Sequence, residues 1–112
     1  MSYIGNNPPI VGGPGANWQP VVTSATLMVS GNGYFVDTTS SAFSMTLPSS
    51  ASLGDFVRIL DVAGTSATNN ITVARNGHNI QGSAADLTIS TNRAGIGLAY
   101  VNSTQGWVLI EN

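Results

Sequence analysis

From Val21 onward, short runs of β-branched and aromatic residues are each closed by Gly, Asn, Ser or Pro, which is the pattern of an all-β chain. The runs are Val21 to Val29, Tyr34 to Thr38, Phe43 to Leu47, Asp55 to Val62, Ile71 to Ala74, Leu87 to Ser90, Gly95 to Val101 and Trp107 to Ile110. In the third, Phe43, Met45 and Leu47 alternate with Ser44 and Thr46 until Pro48 stops the strand. No segment carries a helical period. Asn76-Gly77 has the residue types of a type I′ turn, because both central positions need positive φ, and it predicts a tight hairpin between Ile71–Arg75 and His78–Ile80. The short connection from Asn102 to Gly106 predicts antiparallel pairing of the last two strands.

Several runs are apolar on both faces. Across Asp55–Val62, one face carries Phe56, Arg58, Leu60 and Val62, and the other Asp55, Val57, Ile59 and Asp61. Gly95–Val101 and Trp107–Ile110 are two-sided in the same way. Strands of a small monomeric sandwich alternate apolar inside with polar outside, so a neighbouring subunit is expected to cover the second face. The expected fold is an antiparallel β-sandwich or prism-like module within a homo-oligomer, most simply a trimer. Phe56, Arg58, Leu60, Leu98, Tyr100 and Trp107 are its expected subunit interface.

Residues 1–20 have a different character from residues 21–112. Four of the five prolines and four glycines fall there, among the apolar Tyr3, Ile4, Ile10, Val11 and Trp18. Proline removes backbone donors and glycine resists ordering, so this stretch reads as an extended arm that lies along another surface, with the β module following it.

Composition sharpens the expectation of assembly. Only 7% of the residues are Asp, Glu, Lys or Arg, against about 25% in an average globular domain. The surface is left to 13 Ser, 11 Thr and 11 Asn, which hydrogen-bond water without repelling a neighbouring copy. The three cations, Arg58, Arg75 and Arg93, are dispersed and form no basic stripe, so nucleic acid is not an expected partner. Cysteine is absent, the first residues lack the basic and apolar regions of a leader, and no run approaches the ~20 apolar residues of a membrane span; secretion by that route and membrane insertion are not expected.

Catalytic chemistry finds few candidates. His78 is the only imidazole and follows the Asn76-Gly77 turn, where an exposed ring is the ordinary outcome. Asp55 and Asp61 lie about 20 Å apart along one strand, at ~3.3 Å per residue, too far to act as a pair. Arg58 reads as a structural partner for an acid in an apolar interface, and Asp37, Asp86 and Glu111 stand alone in the sequence. No nucleophile elbow, metalloprotease, phosphate-loop or metal-ligand spacing occurs. No enzyme activity, cofactor or metal is expected. Two Asn-x-Ser/Thr sequons, at Asn70 and Asn102, are what so many Asn, Ser and Thr residues give by chance. Loop Asn, Ser and Thr leave carbohydrate binding open without singling out a site.

Two segments carry a resemblance. Met1–Pro9, MSYIGNNPP, resembles the opening of tail fibre proteins of tailed bacteriophages, marine and cyanobacterial ones especially, which begin with a Met-x-Tyr-Ile-Gly attachment peptide. Gly33 to Asn112 is similar to a β-rich module recurring in such fibres. Its landmarks are Leu47-Pro48, Gly54-Asp55, Asp61, Thr72 to Gly77, Ile80-Gln81-Gly82 and Gly106-Trp107. The resemblance implies a virion structural protein, assembled in the cytoplasm of a bacterial host, trimeric and fixed to capsid, collar or tail proteins by Tyr3, Ile4, Pro8, Pro9 and Ile10. This chain has one module, with no coiled coil or repeated shaft, so tail fibre and capsid decoration or head fibre both fit. A receptor-binding module that recognises a host surface glycan is the alternative. A polysaccharide depolymerase would need clustered carboxylates that this sequence lacks.

Overall fold

The computed structural model describes residues 15–111. Among them the chain forms nine strands and no helix: β1 Asn17–Val22, β2 Thr26–Leu27, β3 Asn32–Val36, β4 Phe43–Thr46, β5 Phe56–Asp61, β6 Ile71–Ala74, β7 Leu87–Ile89, β8 Gly95–Asn102 and β9 Gly106–Glu111. One sheet has five strands in the order β9-β8-β5-β3-β1, and the other has four in the order β2-β4-β6-β7.

The all-β expectation is met, but antiparallel pairing throughout is not. From β1 to β6 the chain changes sheet at every strand, so successive members of one sheet run in the same direction. β1 pairs parallel with β3 and β3 with β5, while β2 pairs parallel with β4 and β4 with β6. Short apolar runs fix where strands lie and say nothing of their direction. A parallel pair needs a return crossover, and here the strand in the opposite sheet supplies it. Antiparallel pairing enters only at the C-terminal end, in β6/β7, β5/β8 and the predicted β8/β9 pair.

Two local expectations also change. Asn76 and Gly77 do take positive φ, 51° and 89°, and the His78 amide closes the turn onto the Arg75 carbonyl at 3.2 Å. No hairpin flanks this turn, because β6 pairs with β7, and Ile80 bridges to Ser83 and Trp107 instead. The run from Val21 to Val29 divides at residues 23–25 into β1 and β2, which lie in different sheets. β1 also takes in residues 17–20, assigned from sequence to the arm; Pro20 is tolerated because β1 is an edge strand.

The buried core draws on both sheets. Tyr34, Val36, Val57, Ile59, Leu98 and Trp107 come from the larger sheet and Met45, Ile71, Val73 and Ile89 from the smaller, joined by Met28, Leu47 and Ile80. These are the inward positions of each strand, as the alternation in β5 illustrates: Val57, Ile59 and Asp61 are buried, and Phe56, Arg58 and Leu60 half-buried. The lower part of the β9 edge is covered by the segment around Ile80. The Trp107 amide donates to the Asn79 carbonyl at 2.9 Å, the Gln81 amide to the Trp107 carbonyl at 2.8 Å, and the Leu109 amide to Gln81 Oε1 at 2.9 Å. Edge protection of this kind blocks unplanned strand pairing.

Candidate functional site

The outer face of the five-stranded sheet gathers the residues whose chemistry the core does not use. Its central row runs Trp18, Gly33, Arg58, Gly97 and Glu111, one position from each strand in register. At two of these places a side chain would displace a neighbour, the Trp18 ring at Gly33 and the Glu111 carboxylate at Gly97. A Cβ on Gly33 would lie 2.6 Å from the Trp18 ring, and one on Gly97 would lie 2.7 Å from Glu111 Oε1. Trp18 lies flat over Gly33 and stacks on Phe35, with ring centroids 4.6 Å apart and planes 17° from parallel. Arg58 reaches across Gly97 to pair with Glu111, which holds the Glu111 carboxyl below its ordinary pKa through that hydrogen bond. A register irregularity between Gly97 and Leu98 sets both Ile110 and Glu111 against Gly97. Flanking rows carry Phe35 and Leu60 on one side and Phe56, Ala99 and Val108 on the other. The face is thus apolar around one ion pair whose charges cancel within the chain.

The six residues expected at a subunit interface divide accordingly. Phe56, Arg58 and Leu60 are on this outer face. Leu98 and Trp107 are fully buried inside the single chain, so they have no surface to offer a neighbour. Tyr100 packs against the core and meets Trp107 edge-on at 5.6 Å. Sequence reasoning took Gly95–Val101 as two-sided but assigned its inward residues to the interface. It missed Trp18 and Phe35, although the aromatic-glycine pairing of Trp18 with Gly33 becomes visible once β1 is seen as a strand. The arm residues Tyr3, Ile4, Pro8, Pro9 and Ile10 lie outside the described residues.

A second polar constellation sits at the end of β5. Asp61 is fully buried and accepts from the amides of Gly64 (3.0 Å), Thr65 (3.3 Å), Ser66 (3.1 Å) and Arg93 (2.9 Å) and from the Ser66 hydroxyl (2.8 Å). Burial pushes its pKa up, but the hydrogen bonds from Arg93, Ser66 and Thr65 outweigh that and hold it at about 2. The Ser66 hydroxyl also lies 2.6 Å from the Thr91 carbonyl, so its one proton is shared between two acceptors, and Asn69 Nδ2 donates to the Thr38 carbonyl. With every contact made to a loop of the same chain, Asp61 pins residues 62–69 to the loop that follows β7, which is a scaffold role.

His78 is likewise engaged in structure. Its Nε2 is 2.9 Å from the Ser49 carbonyl and its ring meets Tyr100 edge-on at 5.5 Å. Asp55 Oδ2 accepts from the Ser52 amide, Asp86 from the Arg75 amide, and Asp37 from the Thr39 amide. Among the described residues no three His, Cys, Asp or Glu side chains group as metal ligands, and no helix is long and apolar enough to cross a membrane. No protein-family model matches the chain, and no curated protein matches it.

Proposed function

We propose that this protein is a structural component of a tailed-bacteriophage virion: a homo-oligomeric, most simply trimeric, β-rich appendage, either tail fibre or capsid decoration. Its copies pack through the outer face of the five-stranded sheet, and the arm of residues Tyr3, Ile4, Pro8, Pro9 and Ile10 docks it to capsid, collar or tail proteins. The observation that carries the self-association is the half-buried apolar face around the self-neutralised Arg58–Glu111 pair. Such a face gains by leaving water and brings no net charge against an identical face. The virion assignment draws its support from the Met1–Pro9 and Gly33–Asn112 resemblance and from a surface with few charges.

Light scattering coupled to size exclusion tests the assembly directly. The wild type is expected to be a trimer at micromolar concentration, and Leu60→Arg, which sets an unpaired cation in the middle of the face, is expected to yield a folded monomer. A monomeric wild type overturns the assembly. Deleting residues 1–14 is expected to leave the oligomer intact while abolishing incorporation into particles, and unchanged incorporation overturns the arm's role. On a glycan array an appendage of this kind leaves every sugar unbound, whereas a receptor-binding module retains one.

A further inference from the structure

β1 is held to its own chain by little. It lies at the edge of the larger sheet and packs on β3, yet none of its residues enters the buried core: Val22 is partly covered, and Asn17, Trp18, Pro20 and Val21 are exposed. Pro20 brings no amide to the ladder, and the β1–β3 register shifts between Gln19 and Val22. What keeps β1 in place is the socket it fits, where Gly33 leaves room for the Trp18 ring and Phe35 stacks against it.

The connection from β1 to β2 works against the bend it makes. Residues 23–25, Thr-Ser-Ala, are exposed and carry the chain from one sheet to the other. They take no positive φ, and Ser24 is the one residue among them that turns favour. Val21, Val22, Thr23 and Thr26 are β-branched and favour extension, which is why Val21 to Val29 reads in the sequence as one strand. Across the bend, the Thr26 hydroxyl donates to the Ser24 carbonyl at 2.9 Å. A local preference for extension opposed by a tertiary bend is a conflict that straightening relieves. A short hinge of that kind favours exchange of the element beyond it between identical chains.

We propose that in the assembled protein β1 is exchanged between copies: residues 23–25 extend, and β1 of each copy seats on β3 of a neighbour in the register it has within one chain. The structure itself identifies the occupant of the β3 edge, because β1 is the strand that fills it. The ladder, the Trp18 ring on Gly33 and its stack on Phe35 are all remade with a second copy, so exchange gives up the bend and its Thr26 bond alone. This inference rests on the outer-face packing, which holds the copies at a high effective concentration. Trp18 belongs to that face, so exchange sets the edge of each copy into the face of its neighbour and locks the oligomer.

The chain contains no cysteine, so two single variants of the full chain report on the exchange: Asn17→Cys and Asn32→Cys, at positions that face each other in the β1–β3 register. One is isotope-labelled, and the two are mixed in urea, refolded together and oxidised. Mass spectrometry is expected to find a disulfide between position 17 of one chain and position 32 of another, and light scattering to find the mixture oligomeric. Asn17→Cys mixed with Thr39→Cys, at an exposed position outside the register, should give no such link. The chain carrying both Asn17→Cys and Asn32→Cys should join into covalent oligomers. An oligomeric mixture with no mixed disulfide, in which the double variant closes the bond within one chain, overturns the exchange and leaves the outer-face packing standing. A monomeric mixture without the link overturns both.

Discussion

Acid should loosen this protein chiefly through one carboxylate. In the folded chain Asp61 titrates at about 2 against an ordinary 3.8, so the native state favours its ionised form. A lowered pKa contributes stability that is fully present above the unfolded value and is lost as the pH falls through the folded one, here between about 4 and 2. At about 1.4 kcal/mol for each pH unit of separation, the gap from 3.8 to about 2 is worth about 2 kcal/mol. That is a sizeable part of the 5–15 kcal/mol that holds a typical domain together. Asp61→Asn removes the charge and turns an Nδ2 donor toward amides that themselves donate, so the variant should be at least about 2 kcal/mol less stable at pH 7. Urea unfolding of both proteins at pH 7, 5, 4, 3 and 2, at one protein concentration, reads the difference. Glu111, whose pKa is also lowered, titrates in both proteins and cancels, while Asp37, also lowered, loses the small opposing effect of the Asp61 charge in the variant and titrates slightly lower there. The gap between wild type and variant should be constant down to about pH 4 and narrow steadily toward pH 2. A gap that stays constant across that range would refute the assignment of the acid sensitivity to Asp61.

Two substitutions probe the packing. Gly106 has φ 69°, and a Cβ there would lie 1.8 Å from the Asn79 carbonyl oxygen; Gly106→Ala should cost roughly 3 kcal/mol or more and detach the Ile80 segment from β9, read by denaturant unfolding and amide exchange at Gln81. Trp107 is fully buried, and its indole nitrogen has no partner among the described residues, so Trp107→Phe should cost well under the roughly 3–5 kcal/mol expected for Trp107→Ala; denaturant unfolding showing equal losses from the two would refute this.

How far the sequence discloses this fold depends on which physical rule governs each feature. Strand positions were legible because apolar clustering between turn residues is local: Ile71–Ala74 has the predicted bounds, and Phe43–Thr46, Phe56–Asp61 and Gly95–Asn102 fall within a residue or two of theirs. Direction and pairing were not legible. A Val, Ile or Phe carries no mark of whether the strand beside it runs with or against it, and Asn76-Gly77 made its turn without a hairpin because Ile80 found β9. The outer face was half legible. Period two in Asp55–Val62 separated Phe56, Arg58 and Leu60 from the core, but in Gly95–Val101 and Trp107–Ile110 both sides are apolar, and only the register tells that Leu98 and Trp107 turn inward. The Asp61 hub was hidden because its donors come from loops about thirty residues apart in sequence.

The winding of β1 to β6 between two sheets has a consequence for how the chain reaches its final form. Each turn of the winding brings together residues far apart in sequence, such as Phe43 with Ile71, and such remote contacts cost chain entropy before they repay it. The β8–β9 ribbon closes on near neighbours, and it follows the other seven strands in the chain. The β1–β6 windings therefore leave the β5 edge and part of the core uncovered until β8 and β9 pack on them, which makes residues 95–111 a gate to productive folding and truncation within them a route to aggregation.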